Sequence, residues 1–70
     1  MKYFVEIEQA SDGEWGGYVP DLPGVAVGGY DSVEKARESL RIAIEMHLEG
    51  MREDGVPIPE PSHFEVLEVA

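Results

Sequence analysis

Residues 31–55 read DSVEKARESLRIAIEMHLEGMREDG, and this stretch decides the fold. Val33, Ala36, Leu40, Ala43, Ile44, His47, Leu48 and Met51 recur at helical spacing, which gathers them on one stripe while the charges fan over the other side. Asp31, followed three residues later by Glu34, makes an acidic capping-box pattern, so the helix is predicted to begin near Ser32. Gly55 supplies a left-handed stop. Beyond it, Val56-Pro57-Ile58-Pro59-Glu60-Pro61 favours an extended connection, because proline lacks an N–H and restricts the residue before it. A helix with a single apolar stripe needs a second layer to cover that stripe.

The residues on either side supply the layer. Tyr3, Val5 and Ile7 alternate with Phe4, Glu6 and Glu8, the pattern of a half-buried strand over residues 3–8. Asp12-Gly13 marks a tight hairpin, and Trp15 to Val19 reads as the returning strand. Pro20 ends that strand, Pro20-Asp21-Leu22-Pro23-Gly24 forms a stiff loop, and Val25 to Gly28 resumes as a third strand. After the helix, Phe64 and Val66 point one way and Leu67 and Val69 the other, as in a strand covered on both sides. The predicted fold is α+β with the order β-β-β-α-β: one mainly antiparallel sheet and a single long helix packed on one face. No repeat or change of composition divides residues 1–70, so a single domain is expected.

That arrangement leaves one sheet face uncovered, carrying Phe4, Glu6 and Glu8. Joined by Tyr18 or Trp15, Phe4 would form an apolar patch ringed by acids, suited to a homodimer contact or to a partner. Leu67 and Val69, on the last strand, are the other candidates for contact between copies.

Fifteen acidic residues against five basic ones give a formal charge of −10. Such a balance opposes direct binding to nucleic acid, which needs Lys and Arg to displace counterions from phosphates. Lys35, Arg37, Arg41 and Arg52 all fall in the helical stretch and only Lys2 lies elsewhere, so the remainder is almost purely acidic. A field of one sign steers partners of the other, which suggests a basic partner; simple solubility accounts for the charge equally well. A chain of 70 residues without cysteine has no disulfide to reinforce a small core, so self-association into at least a homodimer is expected. Met1-Lys2 leads straight into the first strand pattern and no apolar run reaches the ~18 residues of a membrane span. The sequence therefore predicts a cytoplasmic protein with no signal peptide and no membrane contact.

Catalytic motifs are sparse. Glu6, Asp12 and Asp21 are the early carboxylates that could hold a hard cation, but they fall on a strand, a turn and a loop with no local spacing that draws them together. His47 lies on the apolar stripe and reads as packing, and His63 sits at the edge of the last strand; neither has a neighbouring nucleophile or a second ligand at metal spacing. Gly16-Gly17 and Gly28-Gly29 open no helix with a following Lys-Ser/Thr, so they suit strand bending rather than phosphate binding. No cofactor, metal or catalytic residue is assigned.

Gly17-Tyr18-Val19-Pro20-Asp21-Leu22-Pro23-Gly24, then the capped helix with Gly29, Asp31 and Glu34-Lys35-Ala36, then Gly55-Val56-Pro57-Ile58-Pro59-Glu60-Pro61, together resemble the HicB antitoxin family over nearly the whole chain. The resemblance implies a fold similar to a partly degraded ribonuclease H. It also implies the role of an antitoxin that binds and blocks HicA, a small basic toxin that cleaves messenger RNA. Many members carry a cysteine where this chain has Val25. Full antitoxins usually add a C-terminal DNA-binding segment, which is not found up to Ala70, so operator binding is not expected.

Within that implication, Glu6, Glu8, Asp21, Trp15 and Tyr18 are the candidate partner contacts, and Phe4, Leu67 and Val69 the candidate contacts between copies. The acidic face would imitate the phosphates that a ribonuclease expects; alternatively, Trp15 and Tyr18 fill the core or a homodimer seam. Two other readings stay open: a self-associating interaction module without a toxin, and a residual metal-dependent nuclease.

Overall fold

The computed structural model describes residues 1–70 and contains three strands and one helix, in the order β1 (Glu6–Gln9), β2 (Trp15–Tyr18), β3 (Ala26–Tyr30) and α1 (Val33–Glu53). The strands form one antiparallel sheet in the order β1-β2-β3. The helix packs on one face of it, giving a slab 16 Å across its thinnest axis. This is the expected α+β arrangement.

The hairpin between β1 and β2 closes where Asp12-Gly13 predicts. The Ala10 N–H donates to the Glu14 carbonyl (2.8 Å), and the Asp12 carboxylate accepts from the Glu14 N–H (2.9 Å). The β1 ladder begins at Glu6 rather than Tyr3, because its partner β2 stops at Tyr18, directly opposite Glu6. Beyond Tyr18 the chain turns inward: the Val19 N–H donates to the Val25 carbonyl (3.2 Å) and the Val25 N–H to the Leu22 carbonyl (3.1 Å). Val25 therefore closes the proline loop, and β3 starts one residue later than expected and runs on to Tyr30.

Between β2 and β3, Trp15 pairs with Tyr30 and Gly17 with Val27, so one residue opposes two and the ladder bulges at Gly28-Gly29. Gly29 takes a φ of +84°, a conformation that a side chain would strain. On the helix side, a Cβ at Gly17 would stand 2.6 Å from the Glu6 carbonyl oxygen and 2.7 Å from Leu40 Cδ1. The bare backbone at Gly17 is what lets α1 approach the sheet.

At the helix start Ser32, rather than Asp31, is the N-cap. Its extended backbone brings its Oγ to accept from the Lys35 N–H (3.1 Å). Asp31 lies one residue too early and instead pairs with the Lys35 ammonium (3.0 Å). The helix ends as the glycine predicts: Gly55 has a φ of +69°, its N–H donates to the Arg52 carbonyl (3.2 Å), and the Val56 N–H reaches the Met51 carbonyl (2.9 Å).

Six residues are buried: Val19, Leu22 and Val25 from the proline loop, and Ala36, Leu40 and Leu48 from the helix stripe. The loop thus provides half of the core, and its prolines and tight hydrogen bonds hold three apolar side chains against α1. Around them pack Tyr3, Val5, Ile7, Val27, Ala43, Ile44, Met51 and Ile58.

The fourth strand expected over Phe64–Val69 does not form. Residues 56–70 carry no regular secondary structure, and Val66, Leu67 and Val69 are 92%, 77% and 85% exposed, not covered on both sides. A strand pattern specifies a strand only where a ladder partner and an apolar surface meet it, and no strand of the same chain pairs with this segment.

Candidate partner-binding face

The sheet face turned away from α1 is assembled by strand alternation. Ile7, Gly17 and Val27 face the helix, so Glu6, Glu8, Tyr18 and Ala26 face out. Glu6 and Tyr18 are direct ladder partners, and the Tyr18 hydroxyl donates to Glu6 Oε2. This hydrogen bond holds the Tyr18 phenol above its ordinary pKa, helped by partial desolvation and by the negative charge of Glu6 and Glu8. Gly16 and Gly28 add no side chains, so a shallow depression bordered by Glu8, Glu14 and Tyr18 runs along the face. Of the five candidate partner contacts, three (Glu6, Glu8 and Tyr18) share this exposed surface.

The other two are placed differently. Trp15 opposes Gln9 and Tyr30 in the ladder, out of phase with Tyr18, and is half-buried at the end of β2, where it lines the same depression. Asp21 sits in the proline loop with both carboxylate oxygens engaged by one residue: Oδ1 accepts from the Ser62 hydroxyl (2.6 Å) and Oδ2 from the Ser62 N–H (2.7 Å). These bonds, the hydroxyl's first, lower the Asp21 pKa below the ordinary carboxylate value. Asp21 is a clasp on the C-terminal segment.

Phe4 does lie at the edge of the acidic face, joined not by Trp15 but by Phe64, whose ring centroid is 5.0 Å away at an interplanar angle of 43°. Leu67 and Val69 follow Phe64 into solvent, away from Phe4. A second anchor on the segment is the Tyr3 hydroxyl, which donates to the Pro59 carbonyl (2.5 Å). Ser62 and Pro59 were invisible as partners from sequence because they contact Asp21 and Tyr3 across 41 and 56 residues of chain.

The opposite side of the molecule has a different character. Where the free edge of β1 meets α1, Tyr3, Val5, Leu40, Ile44 and Leu48 line an apolar groove rimmed by Arg37, Arg41 and Arg52. Those arginines were recognised in the sequence as a helix cluster. Their spacing of four and eleven residues, the latter close to three turns, places them along one side.

Glu6, Asp12 and Asp21 do not converge; no three of the His, Asp and Glu side chains are grouped to hold a metal ion. His47 is half-buried on α1, while His63 is exposed and lies 2.9 Å from Glu65. No helix is long and apolar enough to cross a membrane.

A comparison with curated proteins finds no match. A comparison with protein families finds one, described as HicB_like antitoxin of bacterial toxin-antitoxin system, over residues 3–70. The matched span takes in the hairpin, the proline loop, the helix and the C-terminal segment, so the chain belongs to the HicB-like antitoxin family of toxin-antitoxin systems.

Proposed function

We propose that this antitoxin silences a small, basic, HicA-like ribonuclease in the cytoplasm by occlusion, without catalysing a reaction, and that the outer sheet face makes the contact. The observation that carries this reading is the grouping of Glu6, Glu8 and Tyr18 on one uncovered face beside Phe4. Two carboxylates flanked by aromatic rings offer a cationic ribonuclease surface both charge complementarity and apolar anchors. Of the remaining candidates, Trp15 lines the depression beside Tyr18, and Asp21 holds the C-terminal segment through Ser62.

The test is inhibition of messenger RNA cleavage by a HicA-like toxin encoded beside this chain's gene. The wild-type chain abolishes cleavage at equimolar ratio, and Glu6→Lys/Glu8→Lys weakens binding by about 10- to 100-fold, more at low salt than at high salt. Inhibition unaffected by the double reversal rules out the acidic face as the contact; absence of inhibition at excess rules out the toxin partner.

A further inference from the structure

Two features of the molecule are incomplete by themselves and fit each other. The first is the segment Phe64–Val69, which as a strand would carry two apolar residues and one acid on each face and which stands largely in solvent with no ladder partner. The second is the free edge of β1 with the apolar groove beside it, which carries Arg37, Arg41 and Arg52 on its rim. Arg41 contacts Glu38, while Arg37 and Arg52 have no ion-pair partner.

We propose that Phe64–Val69 of one copy adds as a strand to the β1 edge of a second copy, turning the face that carries Glu65, Leu67 and Val69 toward the groove so that Leu67 and Val69 enter it and Glu65 meets the arginine rim, and that the two copies exchange tails.

An unpaired edge presents N–H and C=O groups ready to accept another strand, and the tail offers one face, Glu65, Leu67 and Val69, that matches an apolar groove with a cationic rim. Charge selects the match. The acidic outer face repels this tail, whereas the groove is the one apolar surface bordered by cations. A second copy suits the geometry better than the tail's own chain. Asp21 clasps Ser62, and Phe64 stacks on Phe4, which alternation places on the face opposite the helix. The residues that follow start from the far side of the sheet, and none of them lines the groove of its own chain, so that Leu67 and Val69 stay exposed. Exchange also answers the small core of six buried residues, since it buries apolar surface that one chain leaves wet.

The inference concerns the chain alone and is independent of the toxin reading. Light scattering after size exclusion measures mass on the purified full chain across a concentration series. Isotope-filtered nuclear Overhauser spectra on a mixture of labelled and unlabelled protein then identify which copy supplies the tail. The expected result is a dimer with contacts from Leu67 and Val69 of one copy to Val5 and Ile44 of the other. Leu67→Pro removes a ladder N–H where the isolated chain makes no hydrogen bond, and it raises the dimer dissociation constant at least about tenfold while the far-ultraviolet dichroism per residue of the helix is retained. Glu65→Lys weakens the dimer in the same direction. A chain that stays monomeric at millimolar concentration, contacts confined to one copy, or a dimer indifferent to Leu67→Pro each overturns the proposal.

Discussion

Asp21 shows how one side chain can couple two distant parts of a short chain. Its carboxylate is held by both the hydroxyl and the N–H of Ser62, and its pKa is lowered from the ordinary value of 3.8. A group whose folded pKa lies below its unfolded one contributes stability that is fully present above the unfolded pKa and is lost as pH falls through the folded value. The clasp is therefore intact at neutral pH and releases only as the pH falls through the folded value, below the ordinary 3.8. Asp21→Asn is expected to flatten that acid-side dependence and to free residues 62–70 at neutral pH. Fluorescence of the tyrosines and backbone relaxation by nuclear magnetic resonance, followed from neutral to acidic pH, check both expectations; an identical acid profile in the variant excludes Asp21 as the source. Tyr18 illustrates the reverse sign. Its raised pKa keeps the phenol a hydrogen-bond donor to Glu6 until the solution is more alkaline than an ordinary tyrosine requires.

At the scale of elements, the helix is held at its two ends by different chemistry. The Ser32 hydroxyl satisfies the Lys35 N–H at the start, and the Gly55 turn returns two N–H groups to the last carbonyls at the end. Ser32→Ala is expected to cost about 1 kcal/mol by urea denaturation, whereas Asp31→Ala, which removes only an exposed ion pair, is expected to cost less than half of that. Equal costs for the two would mean that Asp31, not Ser32, caps the helix. The proline loop behaves as an element in its own right. Pro20 ends β2, the Val19–Val25 and Leu22–Val25 hydrogen bonds close the loop, and Val19, Leu22 and Val25 all enter the core as a result. Pattern reading treats this stretch as punctuation because its apolar residues follow neither a helical nor a strand period. Only the hydrogen bonds of the folded loop turn them to one side.

The whole molecule is one helix on three strands, two layers with few residues between them. Leu40 is 1% exposed and stands at the point where α1 crosses Gly17, so it joins the layers. Leu40→Ala is expected to cost about 2–5 kcal/mol, a large share of the roughly 5–15 kcal/mol that proteins possess, and to bring the urea midpoint down accordingly. A loss below about 1 kcal/mol would show that the layers close over the gap. The two sides of the slab differ in character, acids and Tyr18 on the bare sheet face and three arginines with Glu45 around the β1 groove, so the proposed toxin contact and the proposed contact with a second copy fall on separate surfaces.

The sequence by itself determined the helix and its ends within a residue, the hairpin at Asp12-Gly13, the outward placement of Glu6 and Glu8, and the family motifs. Each of these depends on residues near one another in the chain, through periodicity, turn chemistry and capping. What only the tertiary structure decided were matters of distance in space: that Ser62 occupies Asp21, that Phe64 rather than Trp15 joins Phe4, and that Phe64–Val69 finds no strand to pair with. A strand pattern states which side chains share a face, but the existence of the strand depends on a partner backbone. For the last segment of this chain, no such partner lies within the same molecule.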